Sequence, residues 1–186
     1  MRIIANKDID DDLLQKICKL EYEVFGDEYT VGEETFKNMH IDREGIFCII
    51  DNGGNPIGFA DALFISEEQK EQYLQDKDFR KLRNIGARIG DDNILYLFGL
   101  ALKKEYRNTG IVRMFFQGFA TWLDELGSRG VKMKYTFSEA TSSDGARFSK
   151  AMGMIPVDAS KLEPDGRGFY YSPDNLEKFC RRLRLG

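Results

Sequence analysis

Residues 97–116 read LFGLALKKEYRNTGIVRMFF, a stretch in which an apolar strand pattern gives way to a charged turn and then to a helical pattern. The helical pattern opens directly after Asn108-Thr109-Gly110. The first N–H groups of a helix have no intrahelical partner and carry the positive end of its dipole, so this order favours a bound anion such as a phosphate. Arg107 adds a positive charge, and Gly110 has no Cβ to hold a phosphate away. The alternative is an ordinary strand-to-helix turn that contains a glycine.

The kind of phosphate ligand can be narrowed, because the sequence has neither a GxGxxG fingerprint after a strand nor a GxxxxGK[ST] loop. Residues 100–102 (LAL) and 107–112 (RNTGIV) resemble instead the coenzyme A loop of the GNAT superfamily of acyl-CoA-dependent N-acyltransferases. That loop reads Arg/Gln-x-x-Gly-x-Gly/Ala after a strand of the type Leu-Ala-Val. Arg107 and Gly110 match it, whereas Val112 stands at the last small position. Residues 142–154 (SSDGARFSKAMGM) are similar to the family's Asn-x-x-Ala-x-x-x-Tyr-x-x-x-Gly-Phe helix and the strand after it.

The resemblance implies an α/β (α+β) fold, in which a GNAT-like central sheet, mixed but mostly antiparallel, has helices on both faces. It implies a single acyltransferase domain over residues 1–186, with residues 66–93 as an insertion between the third and fourth strands. The mixed charges of this insertion predict an exposed helix over roughly residues 67–82 and a looser tract over residues 86–92. The insertion either borders the acceptor pocket and selects the substrate, or is only a solvated helix.

Hydrophobic periodicity predicts the remaining elements. The predicted strands cover residues 2–5, 46–50, 57–65, 95–102, 131–137, 154–157 and 169–171. The predicted helices cover residues 11–25, 33–39, 111–126 and 144–152, and Pro173 is expected to open a last helix at its first position. Asp10 suits the N-cap of the first helix and Gly26 its C-terminal end.

Composition argues against several classes of partner. The net charge of -4 gives no electrostatic reason to expect nucleic acid or an anionic membrane as a partner. The three cysteines, Cys18, Cys48 and Cys180, are far apart and odd in number, and Cys18 and Cys48 lie in apolar patterns typical of packed thiols in a reducing compartment. No signal peptide or membrane-spanning run is evident, so we expect a cytoplasmic protein. A homodimer remains open.

The resemblance also implies the residues that bind the acyl donor, acetyl-CoA or a short acyl-CoA. A backbone N–H near the end of the central strand holds the acyl carbonyl oxygen in this family, and Leu102 is the expected position. The pyrophosphate is expected to meet the N–H groups of residues 107–110. The full set of expected donor-binding residues is Leu100, Ala101, Leu102, Arg107, Asn108, Thr109, Gly110, Ile111, Val112, Arg113 and Ser142.

Two positions of the second motif, Ser142 and Ser149, depart from the family pattern. The family often protonates the departing thiolate with a Tyr, but Ser149 stands at that position and the neighbouring Phe148 has no proton to give. A serine hydroxyl can still donate a hydrogen bond to sulfur. Ser142 stands where the family's Asn meets the pantetheine arm, and capping of the following helix is its alternative role.

Glu139 is the main candidate for the general base, because it is expected to follow a strand near the gap between the two central strands. It could attract a cationic amine or take its proton through a water. Its alternative is a solvent-facing turn carboxylate. Tyr96 and Asp61 are further candidates. His40, the only histidine, is expected at the surface or as a helix cap.

The predicted function is therefore direct transfer of an acetyl or short acyl group from acyl-CoA to an amine, through a tetrahedral intermediate and without an acyl-enzyme. The acceptor is a small-molecule or peptide amine. No ligand spacing for zinc or calcium is present, so no metal is expected. A non-catalytic acyl-CoA-binding or regulatory module is the alternative, and a structural domain that has lost CoA is a third interpretation.

Overall fold

The computed structural model describes residues 1–27, 29–90, 92–174 and 176–185. These residues form seven strands and six α-helices. The strands are β1 (Arg2–Ala5), β2 (Ile46–Ile50), β3 (Pro56–Ile65), β4 (Asp92–Leu102), β5 (Lys132–Ala140), β6 (Ile155–Pro156) and β7 (Gly168–Ser172). The helices are α1 (Asp11–Phe25), α2 (Glu33–Met39), α3 (Glu67–Asp76), α4 (Val112–Ser128), α5 (Ser143–Ala151) and α6 (Leu176–Leu185).

All seven strands belong to one sheet, in the order β1-β2-β3-β4-β5-β7-β6. Strands β4 and β5 pair in parallel, and the other neighbouring pairs among the described residues are antiparallel. The helix α4 makes the crossover between the two parallel strands. The mixed, mostly antiparallel sheet predicted from the sequence is confirmed.

A hydrophobic core lies on each face of the sheet. On one face Phe47, Phe119 and Trp122 pack together between the sheet and α4. On the other face Phe36 and Phe59 pack edge to face under α1 and α2. Each buried aromatic or aliphatic side chain of this size contributes about 1.5–3 kcal/mol, so the two cores fix the sheet between its helices.

The ends of α1 follow the predicted chemistry. The Asp10 side chain accepts a hydrogen bond from the Leu13 N–H at 2.8 Å, which satisfies one of the free donors of the first turn. Gly26 ends the helix with φ at +68°, in the region that favours glycine. Both predicted caps are confirmed.

The predicted helix of the insertion is too long. Helix α3 ends at Asp76 because Lys77 turns left-handed, with φ at +55°, and a separate 3₁₀ turn covers Phe79–Lys81. Residues 86–90 of the predicted loose tract are irregular apart from a bridge from Ile89 to Val131, Asp91 lies outside the described residues, and Asp92 already begins β4.

Two boundaries near the C-terminal half also differ from the prediction. Strand β5 runs on to Ala140, because it pairs with β7 as far as Gly168, so Glu139 lies within the strand and not after it. Pro173 does not open the last helix. The chain leaves β7 in a turn where the Asp174 N–H donates to the Ser172 hydroxyl, and α6 is described from Leu176 onward.

No helix among the described residues is long and apolar enough to cross a membrane. Cys18, Cys48 and Cys180 are all free and buried. This confirms the packing predicted for Cys18 and Cys48 from their apolar patterns.

Candidate active site

A gap opens where the parallel strands β4 and β5 separate. Their pairing ends at Leu97 and Ser138, although both strands continue. Strand β4 also carries a bulge, since Asp61 of β3 faces Gly99 whereas Ala62 faces Leu97, which leaves Phe98 as the extra residue. A bulge bends its strand and increases the local twist. The result is a cleft of about 640 Å³ that reaches both faces of the sheet.

The backbone of β4 presents free donors to this gap. The Lys103 N–H donates to the Ile57 carbonyl at 2.9 Å. Because bonded and non-bonded pairs alternate along an antiparallel ladder, the Ala101 N–H then faces β3. The N–H groups of Leu100 and Leu102 point the other way, toward the gap, beyond the last residue that pairs with β5.

A second set of free donors lies at the start of α4. Asn108 and Gly110 both have positive φ, at +62° and +80°. Within the part of the chain that the structure describes, the five backbone N–H groups of residues 108–112 have no hydrogen-bond partner. The Arg107 N–H, which was predicted to join them, instead donates to the Lys104 carbonyl at 3.2 Å. The Arg107 Nε donates to the Leu102 carbonyl at 3.0 Å and so ties this loop to the end of β4. Free N–H groups at the positive end of a helix make a site for a phosphate.

The structure brings most of the predicted donor-binding residues to the cleft. Those that line it are Leu100, Leu102, Arg107, Asn108, Gly110, Val112 and Ser142.

Four of the predicted residues are placed differently. Ala101 is buried toward the α1 face, and Ile111 packs into the core beside α4. The Thr109 hydroxyl donates to the Tyr106 carbonyl, and the Arg113 N–H is already bonded to the Gly110 carbonyl at 3.1 Å. These four residues are absent from the lining of the cleft, although the backbone N–H groups of Thr109 and Ile111 remain without a partner among the described residues.

Ser142 and Ser149 lie on the same side of the cleft. Ser142 caps α5, because its hydroxyl accepts from the Gly145 N–H at 3.1 Å, which is the capping role considered above. The Ser149 hydroxyl is buried, 3.4 Å from that of Ser138, and both serines line the cleft. Phe148 stacks on Phe116.

Glu139 lies on the opposite face of the gap and is the end of a hydrogen-bonded chain. The Tyr73 hydroxyl donates to its carboxylate, and the Tyr96 hydroxyl donates to Tyr73 at 3.2 Å. Burial raises the pKa of Glu139, and the hydrogen bond from Tyr73 opposes this rise. Tyr73 belongs to residues 66–93, the segment predicted as an insertion, so this segment borders the cleft and is not merely a solvated helix.

His40 is not a surface residue. Its backbone N–H donates to the Phe36 carbonyl at the end of α2, which confirms the predicted helix cap. Its imidazole is fully buried, so the predicted surface position is wrong. The Nε2 atom lies 2.8 Å from the Asp61 Oδ2 atom. Asp61 is likewise fully buried and lines the cleft, and burial raises the pKa of its carboxyl against the opposing bond with His40. This pairing joins α2 to β3, two elements far apart in the sequence.

Glu21 is a cleft residue that the sequence analysis missed. It is buried on α1. Burial, reinforced by the negative charge of Asp61, raises the pKa of Glu21 to about 8, against a hydrogen bond from the Val31 backbone. A signal was present in the sequence, because Glu21 continues the buried helical stripe of Leu14 and Ile17.

This buried acid predicts a loss of stability at high pH. Because folding raises the pKa of Glu21 from 4.5 to about 8, its contribution is most favourable when protonated and is lost as the pH rises through that interval. We expect Glu21→Gln to gain about 2–4 kcal/mol relative to the wild type at about pH 9 and little at about pH 4. Urea unfolding at both pH values measures this.

The exposed Glu71→Gln is the matched control, and it should leave the pH dependence unchanged. Part of the dependence of stability on pH should remain in Glu21→Gln, because burial also raises the pKa values of Asp61 and Glu139. Identical slopes for Glu21→Gln and wild type would contradict the assignment.

Comparison with known proteins agrees with this geometry. A sequence model described as "Acetyltransferase (GNAT) family" matches residues 13–147. No curated protein matches. The structure is similar to the ribosomal-protein-S18-alanine N-acetyltransferase from Escherichia coli, with 18% identity, 92% of each chain covered and a TM-score of 0.55.

Two further solved structures share the fold. Arabidopsis thaliana NAA60 in complex with acetyl-CoA has 14% identity and a TM-score of 0.57, over 91% of this chain and 95% of that one. The GphF GNAT-like decarboxylase in complex with isobutyryl-CoA has 13% identity and a TM-score of 0.59, over 93% of this chain and 99% of that one. At these sequence identities the structural similarity establishes only the fold, and the family membership rests on the match of the sequence model. Since that match covers well over half of the sequence, the chain belongs to the acetyltransferase (GNAT) family and is an acyl-CoA-dependent N-acyltransferase.

Proposed function

We propose that the protein binds acetyl-CoA, or a short acyl-CoA, in the gap between β4 and β5 and transfers the acyl group directly to a primary amine. One observation carries this proposal. The same cleft holds two sets of unpaired backbone donors, at the end of β4 and at the start of α4. A thioester of CoA needs such donors at both ends, for its carbonyl oxygen and for its pyrophosphate.

The donor is held mostly by backbone groups. The N–H groups of residues 108–112 bind the pyrophosphate, and hydrogen bonds to a charged group contribute about 1.5–3 kcal/mol each. The N–H of Leu102, or that of Leu100 on the same edge, holds the acyl carbonyl oxygen and stabilises the negative charge that develops there. Side chains at these two positions need only be apolar, which both leucines satisfy.

The transfer requires movement of protons as well as the acyl group. The amine arrives as an ammonium ion and loses one proton, for which Glu139 is the acceptor, directly or through a water. The free amine nitrogen then forms a bond to the carbonyl carbon while the carbon–sulfur bond breaks. The second amine proton leaves as the amide forms, the thiolate takes up a proton, and Ser149 donates a hydrogen bond to the sulfur. The products are the amide, CoA thiol and one released proton.

Release of CoA thiol in the presence of a panel of amines tests this function. We expect release that depends on an added amine and rises with its concentration, and mass spectrometry should find the corresponding acetylated amine. The reaction without amine is the control for hydrolysis. Thiol release that is the same with and without every amine would contradict the proposal. The proposal also includes a cytoplasmic location and a reaction that needs no metal ion.

A further inference from the structure

The Oδ1 atom of Asp61 is buried and makes no hydrogen bond of normal geometry with a described residue, although the nearby Gly99 backbone N–H favours the charged carboxylate. The Oδ2 atom is paired with His40. Oδ1 lies against Gly99, at the bulge of β4, where a Cβ would collide with it. Asp61 lines the cleft, and its Oδ1 atom is directed toward the bulge of β4. Buried carboxylate oxygens normally have partners, and this one points to a ligand.

Among the described residues, His40 is the side chain that pairs with Asp61. The His40 Nδ1 atom is buried and has no hydrogen-bond partner in the described part of the chain, and the Phe36 ring lies 4.8 Å from the imidazole centre. A buried N–H without an acceptor is costly, so the favoured tautomer has its hydrogen on Nε2, donated to Asp61. Within the described part of the chain, no Lys or Arg side chain forms an ion pair with Asp61 or Glu21.

Glu21 places a second buried carboxyl group in the same region. It also lines the cleft, and the negative charge of Asp61 contributes to its raised pKa. Each of two neighbouring carboxylates disfavours the charged form of the other. A positively charged ligand between or beside them offsets this repulsion, so the pair favours a cation.

The walls around these two carboxyl groups are aromatic. Phe25 meets Phe59 edge to face, and Phe98 meets Tyr96 in the same way, and all four line the cleft. Aromatic faces attract a cation and also cover an apolar stem. Glu21 and Asp61 are almost completely buried, so a ligand must reach them with a compact charged group on a narrow stem.

We infer that Asp61 and Glu21 form the subsite that binds the ammonium group of the acceptor, and that the acceptor is a primary amine on an apolar stem with no carboxylate beside its nitrogen. This inference rests on the proposed function and narrows its substrate. An α-amino acid would bring its own carboxylate next to two buried carboxyl groups, where like charges repel strongly.

Pairs of substrates that differ only in the carboxylate test the inference without any mutation. The probes are 2-phenylethylamine against phenylalanine and 3-methylbutylamine against leucine, at saturating acetyl-CoA. We expect kcat/KM to be about 100-fold higher, or more, for the amine of each pair. Equal values, or a preference for the amino acids, would overturn the inference and leave the proposed function intact. No turnover of any amine would overturn both.

Substitutions of Asp61 and Glu21 test whether these two residues bind the ammonium group. Asp61→Asn keeps an acceptor for His40 but removes the charge, and it should raise KM for 2-phenylethylamine by about 30-fold or more. Glu21→Gln should raise the same KM by about 10-fold or more, and it serves as the test if Asp61→Asn does not fold.

The acetyl-CoA dissociation constant of both variants should stay within about twofold of the wild type, which also shows that they are folded. Glu71→Gln removes a carboxyl group at an exposed position and should alter neither constant. An unchanged KM for 2-phenylethylamine in both folded cleft variants would overturn the inference.

Discussion

Gly110→Asp is expected to weaken acetyl-CoA binding by about 100-fold or more. Position 110 lies among the five unpartnered N–H groups at the start of α4, and a Cβ there would project into open space. Asp tolerates a positive φ better than most residues, so the loop should keep its shape. A carboxylate at this position would face the pyrophosphate, and two like charges about 4 Å apart near a protein surface repel by about 4 kcal/mol. Calorimetric titration with acetyl-CoA measures the effect.

Gly54→Asp is the matched control for this variant. Gly54 also has a positive φ, at +82°, and a Cβ there would likewise meet nothing within 4 Å, but it lies in the β2–β3 hairpin. It should bind acetyl-CoA within about twofold of the wild type. If both variants lose affinity equally, the loss comes from net charge or strain. If Gly110→Asp binds acetyl-CoA normally, the pyrophosphate does not lie at this helix end.

Glu139→Gln should lower kcat by about 100-fold while the acetyl-CoA dissociation constant stays unchanged. Gln keeps the size of the side chain and can still accept from Tyr73, but it cannot accept a proton. General-base catalysis contributes about 10²–10⁴-fold, so the expected loss is at the lower end of that range. Steady-state kinetics at saturating acetyl-CoA and amine measure it, and Glu71→Gln is the control.

The pH profile distinguishes a base from a merely structural carboxylate. Because burial raises the pKa of Glu139, the rate should increase with pH above the range of an ordinary glutamate, as the carboxyl loses its proton. The hydrogen bond from Tyr73 favours the carboxylate, so Tyr73→Phe should raise this pKa further. The rising limb of log kcat against pH should therefore shift to higher pH. A limb that does not move in Tyr73→Phe would contradict the role of Glu139.

The donor half of the site could be predicted from the sequence because its signal is local. Residues 103–111 alone predict the turn before α4, and its free N–H groups follow from the position at which the helix begins. The bulge at Phe98 could not be predicted, since it depends on the register between β3 and β4.

The acceptor half depends on contacts between distant parts of the chain, and prediction was weaker there. The sequence identifies Glu139 and Asp61 only as candidates. Burial raises the pKa of a carboxyl group, and burial depends on the tertiary structure. His40 follows polar residues in the sequence, yet the packing of α2 buries it against Asp61. Tyr73 stands in a strongly charged helix, and only the fold shows that its face meets Glu139.

The most direct test of acyl transfer in the β4–β5 gap is a single-turnover reaction with radiolabelled acetyl-CoA, enzyme in excess and 2-phenylethylamine present. Direct attack predicts that the label passes into the amide, with one CoA thiol released for each amide formed and no label retained on the protein after denaturation. Label bound covalently to the protein, or recovered as free acetate in place of the amide, would contradict direct transfer to an amine.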